Sequence, residues 1–270
     1  MQKLETLNYE EQFKEVVVSF SPFVLNSTGI VQSQTALKVD TYTLACVPYQ
    51  ISMGRVVLIG SFSKDEIVYF QRYKGSLAGL TLSIQHPTVK EPEKIFCRCQ
   101  ISGVGLMKGR DRVGLIVCDF KPIPPALAKV LGEHLIGVET LRIRWQDYKD
   151  KTVQVNAENS RRLGYNNYAV MTAGGDPLKL ALYTLSVNRL EFIMPFRSPD
   201  LAADTPVAVS LYFQKYRFSV SGKIEKAERL VTGAQKVRAS IDFSPELCDL
   251  MAEFFTAPRQ VLARPSALQL

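Results

Sequence analysis

The chain has 270 residues, 46% hydrophobic and 22% charged, a balance that excludes a disordered polymer and leaves room for one large or two ordinary domains. Its formal net charge of +7 favours an anionic partner, but 33 basic against 26 acidic residues spread that excess thinly, so charge alone does not argue for nucleic acid. No run reaches the ~18 to 20 apolar residues of a membrane span, and the polar, acidic start from Met1 to Glu11 is no signal peptide, which places the protein in the cytoplasm by default.

Residues 1–20 read as an N-terminal extension, a short helix feeding a first strand at Val16 to Phe20. From 21 to 135 short apolar stretches alternate with turn residues. Strands are expected near 22–26, 36–47, 55–62, 66–72, 79–85, 95–103 and 113–119, a spacing that suggests a barrel or sandwich. A helix follows Pro124-Pro125, with Leu127, Val130, Leu131 and Leu135 on one face. Residues 136–160 form a charged connector whose periodicity fits an extended helix or a strand. Short strands resume from 161 to 257, with a turn at Ala173 to Pro177 and a closing helix that carries Leu247, Leu250, Met251 and Phe254 on one face. Residues 258–270, with Pro258 and Pro265, read as a flexible tail.

Catalytic and metal chemistry finds little footing. Cys46, Cys97, Cys99, Cys118 and Cys248 are scattered through apolar segments as reduced core thiols would be. Cys97 and Cys99 lie two apart, whereas zinc wants paired Cys-x-x-Cys spacings, so no metal site is expected. His86 and His134 stand near no nucleophile, and no carboxylate pair marks an acid/base site; the chain reads as a non-enzyme. Asp119 and Asp242 read as helix caps, and Trp145 as a base-stacking or packing residue.

The two halves match each other. Leu180 to Met194 alternates as two strands about a turn at Ser186 to Asn188. Tyr69 to Leu82 can be laid on it, Ser76 on Ser186, with 186 − 76 = 110. Ile101-Ser102-Gly103 matches Val220-Ser221-Gly222, with 221 − 102 = 119, and Cys118 to Pro122 matches Ile241 to Pro245, with 242 − 119 = 123. Three matches in one order point to two copies of a small barrel with a C-terminal helix.

On these residues the chain resembles the PilZ family, small β-barrels that bind cyclic di-GMP. The family carries Arg-x-x-x-Arg before its first barrel strand and Asp/Asn-x-Ser-x-x-Gly at a later strand turn. Here Arg161 and Arg162 stand at the first place; Thr184, Ser186, Asn188 and Arg189 stand at the second. Only Ser186 keeps the family residue: Thr184 replaces the acid, Arg189 replaces the glycine, and the second arginine is Tyr165 or Asn166. Arg189 either blocks the site or supplies a phosphate contact.

The resemblance implies an all-β fold with terminal helices, two split or six-stranded PilZ-like barrels in tandem at 21–135 and 161–257. It implies a cyclic di-GMP receptor, or a degenerate adaptor that regulates motility or surface functions through protein contacts. Cyclic di-GMP is the one ligand it suggests; no resident cofactor is expected. The alternative from another class is a basic OB-like barrel binding RNA or single-stranded DNA, for which Tyr212 to Phe218 offers interleaved aromatic and basic residues. That run also reads as a barrel strand, so a protein partner ranks above nucleic acid.

Overall fold

The structure, a computed structural model, describes residues 8–172, 177–195 and 200–256. The expected tail and the body of the Ala173 to Pro177 turn lie outside the described residues. Two compact units divide the chain, Met1–Glu139 and Thr140–Leu270.

The first unit opens with α1 (Tyr9–Gln12), β1 (Val18–Ser19) and α2 (Pro22–Thr28). Residues 22–26 are thus helical where a strand is expected. Ser21 caps α2 by accepting from Val24 N, Pro22 takes the first helical position where its missing N–H costs nothing, and Gly29 ends it at φ 69°. A hairpin follows, β2 (Ala36–Val39) and β3 (Tyr42–Ala45); β3 runs through Cys46 into β4 (Val47–Ile51), which turns into β5 (Arg55–Ser61).

Residues 66–72 are also helical: α3 spans Lys64–Gln71. The deciding signal is a capping box, in which Ser63 Oγ accepts from Glu66 N while Glu66 accepts from Ser63 N. Ser63→Ala is expected to cost about 1 kcal/mol, read as a lowered denaturation midpoint. Then come β6 (Leu77–Ile84), β7 (Glu93–Leu106), β8 (Val113–Phe120) and α4 (Pro125–Tyr148), a helix that runs thirteen residues past the expected stop at 135.

The sheet order is β1-β4-β5-β8-β7-β6-β2-β3. β3 and β4 follow one another along the chain yet stand on opposite sides of this order, so the sheet curls back on itself and leaves a split between β3 and β5. Alternating Leu37, Leu80, Leu82, Cys97, Cys99, Ile116 and Cys118 fill its interior, each at most 1% exposed.

In the second unit, β9 (Val153–Gln154) and α5 (Ala157–Leu163) precede β10 (Tyr165–Thr172), β11 (Pro177–Leu185), β12 (Arg189–Met194), β13 (Pro206–Phe213), β14 (Arg217–Arg229), β15 (Gln235–Ile241) and α6 (Pro245–Thr256). The order β10-β13-β14-β15-β12-β11 closes through a further β10–β11 pairing, giving a six-stranded barrel, with β9 added outside β11. The fold is mostly β with terminal helices, as the resemblance implies.

Equivalent hairpin features recur in the two units, but in a register that differs from the sequence matches. Bulges fall at Tyr49 and Tyr183, and the flanking pairs Pro48–Leu58 and Leu182–Phe192 coincide at 182 − 48 = 134. Ser186 is therefore equivalent to Ser52, not Ser76, which follows α3 outside this hairpin. Phe120 donates to Gly54 O as Ile241 donates to Asn188 O, both at 2.9 Å, so Phe120 answers Ile241 and the Asp-Phe-x-Pro match is two residues out of register. Ile101 and Ile224 both precede bulges, which sets Ser102 against Glu225 rather than Ser221. Nor do the two aspartates cap helices. Asp119 lies within β8 and accepts from Arg55 Nε at 2.6 Å, and Ser244 Oγ caps α6 by accepting from Leu247 N at 3.3 Å.

Candidate functional site

The Ser186 turn is built by its own side chains. Ser186 is 2% exposed, and its hydroxyl donates toward Asn188 Oδ1 at 3.0 Å and Arg189 O at 3.2 Å, while its N–H donates to Arg189 O at 2.9 Å. The same turn recurs in the first unit, where Ser52 N and Oγ reach Arg55 O at 2.7 and 3.5 Å. Trp145 of α4 donates its indole N–H to Val187 O at 2.9 Å and packs edge-on against Phe243, so the lone tryptophan braces this turn.

The two halves of the candidate motif are linked through β9, the short strand that pairs with β11 and leads into α5. Thr184 of β11 stands opposite Gln154 of β9 on one side and Glu191 of β12 on the other. From Gln154 the chain turns into α5, held by Asn159 Nδ2 donating to Gln154 O at 2.9 Å, and Arg161 and Arg162 occupy its last turn. Arg161 is exposed. Arg162 is committed to α6: its Nη2 donates to Phe254 O at 3.1 Å and its guanidinium lies 4.1 Å from the Phe254 ring. Asn188 accepts from Ser186, and Arg189 is half exposed, its Nε 3.2 Å from Glu225.

The charged residue that sequence reasoning missed is Glu191. Inward-facing Leu190 and Phe192 flank it, which puts its carboxylate on the outer face, yet it is only 8% exposed. Arg238 donates from Nε and Nη2 to Glu191 Oε1 at 2.8 and 2.6 Å, and Lys236 Nζ lies 3.4 Å from Oε2. Burial pushes the Glu191 pKa up, but hydrogen bonds from Arg238 and Lys236 outweigh it and hold the carboxyl below its ordinary value. The available signal was a lone acid inside the run Leu190 to Met194. The family's acid position, vacant at Thr184, thus has a carboxylate directly across the ladder.

A cavity of about 610 Å³ opens nearby, lined in part by Lys223, Ser240 and Asp242. Ser240 is the ladder partner of both Arg189 and Lys223, which sets two cations beside the opening. The volume falls in the range of small-molecule sites. Among the described residues, no group of three or more His, Cys, Asp or Glu side chains gathers to hold a metal, and no helix is long and apolar enough to cross a membrane.

The aromatic-basic run from Tyr212 to Phe218 is spent on packing. It forms the β13–β14 hairpin, with Phe213 stacked on buried Phe218 at 5.8 Å. Tyr216 donates to Asp249 at 2.8 Å, and Lys215 pairs with Asp249 and Glu253 of α6.

Residues 2–136 match the family model of the PilZN3 domain. The chain is similar to the PlzA protein of Borreliella burgdorferi, solved with c-di-GMP, at 15% identity and TM-score 0.47, over 92% of this chain and 96% of that one. It is similar to YcgR of Escherichia coli, also solved with c-di-GMP, at 13% identity and TM-score 0.28, over 92% and 93%. The inhibitor of motility of Bacillus subtilis matches at 7% identity and TM-score 0.31, over 84% and 96%. No curated protein matches the sequence.

Proposed function

The chain belongs to the PilZ family, and on that premise we propose that it is a non-enzymatic cyclic di-GMP receptor whose site is the Ser186 turn of the second barrel. The observation that carries this reading is the β9–β11–β12 ladder, which sets Gln154, Thr184 and Glu191 side by side, with Arg161 and Arg162 in the helix that follows β9. Arg161 supplies a fork for a guanine edge or phosphate. Glu191 Oε2, engaged among the described residues by Lys236, keeps a lone pair for the N–H donors of a guanine, in place of the acid missing at Thr184. Arg189 is a phosphate contact once Glu225 gives it up.

Calorimetric titration of the full chain with cyclic di-GMP tests this. Micromolar binding is expected. Loss of a charged partner costs about 2 to 5 kcal/mol, so Arg161→Ala/Arg162→Ala weakens binding about thirtyfold or more. Glu225→Ala, which releases Arg189, is expected to tighten it. No heat at high ligand concentration would sink the receptor reading.

One observation favours a second reading: Arg162, Ser186 and Arg189 each already have partners within the chain. On that reading the protein is an adaptor that keeps the fold and regulates motility or surface functions through protein contacts. Absent heat is its expected result.

A further inference from the structure

The split in the first unit carries an inference independent of the receptor site. Beyond the Val47–Ile59 pair no ladder joins β3 to β5. A cavity of about 490 Å³ lies there, lined among others by Tyr42, Thr43 and Ala45 of β3, Ser61 at the end of β5, and Glu66 and Tyr69 of α3.

Three features make this opening a place for a strand. First, β3 ends the strand order, so among the described residues no strand covers its outer edge. The two-residue turn at Asp40-Thr41 makes Val39–Tyr42 a hydrogen-bonded pair, and the alternation of the ladder then turns the N–H and C=O of Thr43 and Ala45 away from β2. Cys46 N donating to Thr35 O at 3.2 Å keeps the same alternation. Natural sheets cover or blunt such edges, yet Thr43 and Ala45 are exposed and bear neither charge nor proline.

Second, the surface beside the edge is aromatic. Tyr69 donates its hydroxyl to Tyr42 at 2.7 Å with ring centroids 5.5 Å apart, and Phe62 and Phe70 are buried beside them. Tyr42 remains 41% exposed. Third, Glu66 is the one charged side chain among the described residues lining the cavity, with Asp40 in the β2–β3 turn next to Tyr42; Lys64 offsets Asp65 in the first turn of α3, and the Arg72 guanidinium 5.7 Å from the Tyr69 ring centroid shows that these rings take a cation.

The geometry points to a docking site for an extended cationic peptide segment of a partner protein. The segment adds as a strand to the outer edge of β3 and sets an arginine or lysine against the Tyr42 and Tyr69 rings beside Glu66. Main-chain hydrogen bonds to Thr43 and Ala45 supply binding, and the aromatic-acid pocket selects the side chain. A second copy pairing edge to edge fits less well, because it brings Asp40 and Glu66 of both copies together.

The probe is a synthetic ten-residue peptide of alternating arginine and valine, added to the full chain and read by amide hydrogen exchange. Exchange at Thr43 and Ala45 is expected to slow tenfold or more, and a glutamate–valine peptide is expected to leave it unchanged. Ala45→Pro removes an N–H that no neighbouring strand uses, so the barrel keeps its unfolding midpoint while peptide affinity falls tenfold or more. Glu66→Gln retains the capping-box acceptor and lowers affinity through charge alone. Three outcomes overturn the proposal: no binding of the arginine peptide, undiminished binding to folded Ala45→Pro, or a peptide-free dimer that Ala45→Pro dissolves, which would give the edge to a second copy.

Discussion

Replacing Phe192 by alanine is expected to lower the stability of the second barrel by about 3 to 5 kcal/mol. Phe192 is 0% exposed at the middle of β12, between Leu190 and Met194, which are equally buried, and opposite Leu182 and Val237 on the flanking strands. Six strands closed on themselves limit collapse around the lost ring, so the cavity term adds to the transfer term. The lone tryptophan gives a local probe: Trp145 is bonded to Val187 O, so its fluorescence in urea reports this unit. The midpoint should fall with an unchanged slope. A loss below about 1.5 kcal/mol would mean that the barrel repacks around the gap.

Arg238→Ala is expected to be destabilising at neutral pH and progressively less so in acid. Removing the guanidinium takes two donors from a carboxylate that is 8% exposed, which costs about 1 to 3 kcal/mol at pH 7. The sign with pH follows from the lowered Glu191 pKa. In the native protein the stability that this group contributes is fully present above its unfolded value of about 4.3. It is lost as pH falls through the lower folded value. In the variant burial prevails over the weakened hydrogen bonding, the pKa rises, and protonation relieves the buried charge. The stability gap between the two proteins should therefore close between neutral pH and about pH 4. A gap that stays constant would show that Arg238 stabilises by packing its stem and not by its charge.

How far the sequence carries differs from element to element. Period-two runs such as Leu77 to Ile84 and Val113 to Phe120 identify their strands because one face of each is buried. The same reasoning fails at 22–26 and 66–72, where short apolar stretches carry no usable period and the capping residues Ser21 and Ser63 decide for helix. The internal repeat was legible, and its true register was too: Tyr49-x-x-Ser52-x-x-Arg55 and Tyr183-x-x-Ser186-x-x-Arg189 recur at 186 − 52 = 134. The match of Ser76 to Ser186 rests on a shared serine and on hydrophobic spacing, which a helix and a strand share over a few residues.

By itself the sequence determined a β-rich chain of two repeated halves, the Ser186 turn, and the arginines ahead of the second barrel, because each rests on local spacing along one segment. Only the tertiary structure decided that Arg162 stacks on Phe254, that Arg189 faces Glu225, and that Glu191 stands opposite Thr184 under Arg238. Those partners lie 92, 36, 7 and 47 residues apart. A charged side chain's role depends on which group the sheet register sets beside it, and register is fixed by the burial of a whole face and the closure of the barrel.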